Sequence, residues 1–146
     1  MEITATIIHG PGIASGSGPT APKEGSIALQ KPLLVPYFPE IAACHNGTIN
    51  LLLDQPLEIR LPDVVTPPLN WRPYEPDFEE RFGFKKITFI LDGQRHPAWI
   101  YIAERSQHLF KTGMVELVAD LIPGVQYGAR CALEIERAQP AHLFTA

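Results

Sequence analysis

"KKITFILDGQRHPAWIYIA", residues 85–103, holds two apolar runs on either side of Asp92-Gly93. Two-residue hairpin turns need positive φ, which Asp and Gly tolerate, so this dipeptide between "KKITFIL" and "HPAWIYIA" is the strongest hairpin signal in the chain. Working outward, "MVELVA" (114–119) and "RCALEIE" (130–136) read as further strands, and "EITATII" (2–8) as an opening one. "TINLLL" and "LEIRL", separated by "DQP" (54–56), read as two short strands joined by a turn. Many short strands at this spacing, with no convincing helix longer than about ten residues, indicate a small barrel or sandwich.

The remaining stretches are punctuated by glycine and proline. "SIAL" (26–29) is expected as a short strand, and "LLVPYFPEIAACHN" (33–46) as the place of a short helix begun near Pro36 or Pro39, since proline is tolerated in a first turn. Residues 62–84 form a long proline-rich loop without a hydrophobic period. Trp71, Tyr74 and Phe78 give that loop apolar anchors, so it is expected to be an ordered cover over the body.

A length of 146 residues suits a single domain, 1–146, able to bury roughly 68–70% of its unfolded surface. Hydrophobic residues make up 45% and charged residues 19%, which fits a globular chain rather than a disordered one. The net charge of −4, from 16 acidic and 12 basic residues, supplies no basic face, so nucleic acid is not an expected partner. Cys44 and Cys131 are far apart and outside any Cys-x-x-Cys spacing, and are expected to be core thiols. No run approaches the roughly 20 apolar residues of a membrane span, and the N-terminus lacks the pattern of a signal peptide. A cytoplasmic monomer is the expectation.

Between the first strand and Ser26, Gly10, Gly12, Gly16, Gly18 and Gly25 make a loop. Neither the dinucleotide-binding fingerprint nor a Gly-Lys-Ser/Thr phosphate loop is present. Backbone N–H groups in turn conformations can still cradle an anion, with Lys23 as the cation placed to help; a solvated surface loop is the other reading.

In "NGTINLLLDQP" (46–56), strand alternation puts Thr48 and Asn50 on one face and Ile49, Leu51 and Leu53 on the other. Two neutral oxygens hold Mg²⁺ only weakly on their own, so the pair makes sense as half of a site completed by a polyphosphate; alternatively it only satisfies strand-end backbone. Glu116 lies among the apolar residues of "MVELVA", either facing solvent or buried with a partner, where it would be able to orient or deprotonate a hydroxyl. Ser106 and His108 lack the surroundings of a hydrolase site, and His9, His45, His96 and His142 have no metal-ligand spacing.

Taken in order, these motifs resemble the CTP-dependent riboflavin kinases, over about residues 7–136. Gly47-Thr48-Ile49-Asn50 is similar to the family's Gly-Thr-Leu-Asn strand, whose threonine and asparagine bind Mg²⁺. "SGSG" with Gly25 is similar to its nucleotide loop, which implies nucleotide contacts at Gly16, Ser17, Gly18 and Gly25, with Lys23 beside them. "ERSQH" (104–108) and "VELVA" (115–119) resemble the two segments that touch the flavin, which implies flavin-binding roles for Ser106 and Glu116 and a catalytic one for Glu116. The chain differs from the pattern by the additional "PTAPKE" (19–24) and by a shorter stretch, "ADLIPGVQYGARC" (119–131).

The resemblance implies a mainly β, six-stranded cradle-loop barrel with one short helix and long loops. It implies a Mg²⁺-dependent transfer from CTP to riboflavin, giving FMN and CDP, with small molecules and no membrane as partners. A catalytically altered or inactive flavin- or nucleotide-binding module on the same barrel is the alternative expectation.

Overall fold

The computed structural model describes residues 1–9, 26–57, 62–105 and 113–136. It is mainly β, with seven antiparallel strands in one sheet. They are β1 (Glu2–Ile8), β2 (Ile49–Leu53), β3 (Val64–Val65), β4 (Phe82–Leu91), β5 (Gln94–Ala103), β6 (Met114–Val118) and β7 (Arg130–Glu134). One helix, α1 (Ser26–Leu34), and a 3₁₀ turn over Pro39–Ala43 complete the regular structure of the described residues.

The expected hairpin is the longest pairing: β4 and β5 run in register from Phe82↔Ala103 to Leu91↔Gln94. Asp92 and Gly93 take φ of 51° and 74°, the left-handed backbone that a two-residue turn of matching twist requires. The strand order is β3-β4-β5-β6-β2-β1-β7. β7 also pairs back onto β4 through Thr88↔Glu134, Phe89↔Leu133 and Ile90↔Ala132, so the free edge of β4 is shared between β3 at its start and β7 at its end.

Alternation divides the apolar residues into two layers. Ile3, Ile7, Leu51, Phe89, Ile100, Leu117 and Leu133 belong to an interior cluster drawn from six strands. A second cluster joins Phe82, Phe84, Tyr101 and Val118 to Ile27 and Leu34 of α1, to Phe38 and Ile41, and to Trp71 and Phe78 of the proline-rich segment. Each such side chain, fully buried, stabilises by about 1.5–3 kcal/mol. Cys44 and Cys131 are free and buried, as expected, and burial pushes both thiols up to about 11.

Two expectations change, and a third lies largely outside the described residues. "SIAL" is not a strand but the first turn of α1, because Ile27, Gln30 and Leu34 share one helical face, all buried. Pro32 withholds the N–H that would bond the Ala28 carbonyl, which masks the helix in the sequence. In the 62–84 segment, Val64–Val65 is a short strand, and Trp71 and Phe78 are buried anchors, whereas Tyr74 is 95% exposed and anchors nothing. The expected strand "LEIRL" falls largely on residues 58–61, outside the described residues.

The cover itself is held by paired polar groups. Leu69 and Glu80 exchange two backbone hydrogen bonds of 2.9 Å, and the buried Glu80 carboxylate accepts from Trp71 Nε1 at 2.9 Å and from the Arg105 N–H at 2.6 Å. Phe78 lies under the guanidinium groups of both Arg72 and Arg105, at 4.5 and 4.7 Å from its ring centre. Among the described residues no helix is long and apolar enough to cross a membrane.

Candidate functional site

β2 keeps the division of faces expected from its sequence. Leu51 and Leu53 enter the interior cluster and Ile49 packs against it, leaving Thr48 and Asn50 on the opposite side. Register then selects their neighbours: Asn50 sits directly across from Glu116 on β6, and Glu116 directly across from Tyr101 on β5. Directly opposed residues in antiparallel strands place their side chains on the same face at short range. Thr48, one step further along, reaches Glu116 diagonally, its Oγ1 donating to Oε1 at 3.1 Å.

Glu116 is therefore buried with a partner. The Thr48 hydroxyl has one proton and two lone pairs, so donating to Glu116 leaves its acceptor side available. Asn50 is also buried, and its Oδ1 accepts no hydrogen bond among the described residues. A buried acceptor left without a partner costs about 1–3 kcal/mol, so it marks a place where something is bound or something is being stored.

Tyr101 extends this polar seam beneath α1. Its hydroxyl donates to Gln30 Oε1 at 2.7 Å, and both side chains are buried. Burial first, then the negative charges of Glu116 and Glu80, push the Tyr101 phenol well above its ordinary value. It therefore stays protonated and keeps donating to Gln30.

Thr48 and Asn50 line a cleft of about 260 Å³, together with Ile7, Ile8, Gln126 and Tyr127 among others. The cleft lies at the end of β1, where the chain enters the glycine-bearing residues 10–25. At its rim His9 packs on Tyr127, the ring centres 4.4 Å apart and the planes inclined by 38°.

As a donor pair, the Asn50 amide oxygen and the Thr48 hydroxyl are neutral hard oxygens of the kind Mg²⁺ accepts, with the Glu116 carboxyl beside them. No group of three or more His, Cys, Asp or Glu able to hold a metal occurs among the described residues. An ion held here would need waters or phosphate oxygens to complete its shell, so the residues fit a Mg²⁺–polyphosphate and do not fit a tightly resident ion.

Of the residues singled out from the sequence, Thr48, Asn50 and Glu116 are thus brought together. Gly16, Ser17, Gly18, Lys23, Gly25 and Ser106 lie outside the described residues. Sequence reasoning missed Tyr101, Gln30 and Tyr127. Gln30, a polar residue within the apolar run of "SIALQKPLL", is the signal that was available. No protein-family model matches the chain, and a search of curated proteins likewise finds no match.

Proposed function

We propose that the strands β4-β5-β6-β2-β1-β7 form a six-stranded barrel of the cradle-loop kind, and that the chain is a riboflavin kinase using a nucleoside triphosphate, CTP. The β7–β4 pairing supports closure of the ring. The observation that carries the functional reading is the buried Asn50 Oδ1, without a hydrogen-bond partner among the described residues and set directly across from Glu116, which accepts from the Thr48 hydroxyl.

In this reading Asn50 Oδ1 and Thr48 Oγ1 would hold Mg²⁺ on the phosphate side of the site. The ion, when bound, neutralises charge on the transferring phosphoryl group. Thr48 does two things at once: its proton fixes Glu116, and its lone pairs face the phosphate side. Glu116 orients the ribityl 5′-hydroxyl of riboflavin. The hydroxyl oxygen forms the new bond to the γ-phosphorus, the bond to the bridging oxygen of CDP breaks, and the hydroxyl proton passes to the Glu116 carboxylate. Gly16, Ser17, Gly18, Lys23 and Gly25 contact the nucleotide, and Ser106 the flavin. Catalysis is then mainly positioning and charge neutralisation.

The test is purified protein with riboflavin, Mg²⁺ and either CTP or ATP, with FMN resolved by chromatography. FMN is expected with CTP, and none once the metal is chelated. Flavin binding without FMN from any nucleotide would replace this reading by that of a binding module on the same fold.

A further inference from the structure

Beyond the metal and acceptor groups, the cleft carries an aromatic rim that the proposed reaction leaves unused. Tyr127 is 67% exposed, although it lines the same cleft as Asn50. The segment bearing it is fixed rather than loose. Gly124 and Gly128 take φ of +83° and +86°, a backbone that favours glycine, and so turn the chain on either side of Val125-Gln126-Tyr127. Val125 and Ala129 pack against the interior cluster. The Gly128 N–H donates to the Ile7 carbonyl at 2.7 Å, and the Ile7 N–H to the Ala129 carbonyl at 2.9 Å. The strand that receives these bonds is the one that presents His9, so the two rings are positioned by a shared backbone ladder.

We propose that Tyr127, with His9 packed on it, is the platform on which the base of the donor nucleotide stacks, while Gln126 reads the base edge. This rests on the kinase reading in taking the phosphates to lie toward Thr48 and Asn50. The cleft contains those two residues and not Glu116, the group assigned to the acceptor, so the molecule that extends along it is the nucleotide rather than the flavin. Every base offers a planar face to an aromatic ring, and the Gln126 amide offers both a donor and an acceptor to its edge.

Affinities of the intact chain for Mg²⁺–CDP, for Mg²⁺–pyrophosphate as the base-free probe, and for riboflavin test this in the wild type, Tyr127→Ala and Tyr127→Phe. Tyr127→Ala is expected to weaken CDP roughly 5- to 150-fold, the range for losing one base–aromatic stack, with pyrophosphate and riboflavin unchanged. Tyr127→Phe keeps the ring and should bind CDP nearly as the wild type does. The platform is overturned if CDP affinity survives Tyr127→Ala, if pyrophosphate weakens as much as CDP, or if riboflavin weakens instead. A wild type that binds CDP no better than pyrophosphate removes the platform and leaves the kinase reading standing; one that binds neither removes both.

Discussion

The interior face around Phe89, Ile100 and Leu117 is mostly apolar and takes in Lys85, which lies across from Ile100 and pairs with Asp63 and Glu136, whereas the opposite side of the sheet buries Gln30, Glu80 and Glu116 beside its aromatics. Both layers obey the same alternation. The difference lies in what burial requires of each. Apolar groups need only neighbours, while every buried polar group needs a partner of the right kind at the right distance. The outer layer meets that demand pair by pair: Tyr101 with Gln30, Trp71 with Glu80, Thr48 with Glu116. Among the described residues, Asn50 Oδ1 is where the pairing stops. Apolar burial is thus concentrated on one face and the candidate site on the other, and substitutions should separate the two.

Phe89→Ala should show the largest effect on the interior side. The side chain is fully buried, and truncating such a phenylalanine costs about 3–5 kcal/mol. Urea denaturation reads this directly. On the proposed kinase reading FMN formation per folded molecule should hardly change, because Phe89 lines neither the cleft nor the polar seam. A folded Phe89→Ala protein that is inactive would break the separation of faces.

Asn50→Leu is the converse. Turnover should fall about 100-fold, the scale of losing one contact to charge developing in the transition state. The melting temperature should hold or rise, since the exchange removes, at similar volume, a buried oxygen that has no partner among the described residues. On the proposed kinase reading riboflavin affinity should be unaffected, because the metal would serve the phosphates. A drop in melting temperature of several degrees would mean that Asn50 is a structural residue after all.

Tyr101→Phe sharpens the comparison within the outer layer. It removes the donor to Gln30 Oε1 and leaves that oxygen buried, which costs about 1–2 kcal/mol. The loss should appear in thermal unfolding and should be smaller than that of Phe89→Ala, since no cavity is made. An equal or larger loss would show that the seam, rather than the interior, secures α1 and the sheet together.

How much of this was legible in the sequence follows the same division. The hairpin was, because its signal is local: Asp92 and Gly93 can take positive φ and the runs on either side are apolar. The facing of Thr48 and Asn50 was, because period-two alternation needs no knowledge of the partner strand. That Glu116 meets them was open, since the Asn50↔Glu116 register is set by pairing between distant segments. α1 was misread because "SIAL" is too short to show its period, and Pro32 interrupts the run that would have completed it. Tyr101 and Gln30 gave no sign of each other, for their bond depends on how α1 docks across the sheet.

The smallest effect is expected at the surface ladder of β1 and β7. Arg130 pairs with Asp54 and also donates to Thr6 Oγ1 at 2.8 Å, and Thr4 donates to Asp54 as well. Hydrogen bonds from Arg130 and Thr4 hold the Asp54 carboxyl down at about 2, against an ordinary 3.8. A carboxyl lowered in the folded state adds stability that is complete above its unfolded value and is lost as pH falls through its folded one, here between about 4 and about 2. Because the pair is exposed, solvent screens it, and its contribution is slight. Arg130→Ala should return the Asp54 carboxyl toward 3.8, as followed by carboxyl carbon NMR, while stability at neutral pH barely moves. A marked loss of stability at pH 7 would show that this ladder, far from the polar seam, helps keep β1 against β7, and would put part of the fold's stability outside the interior.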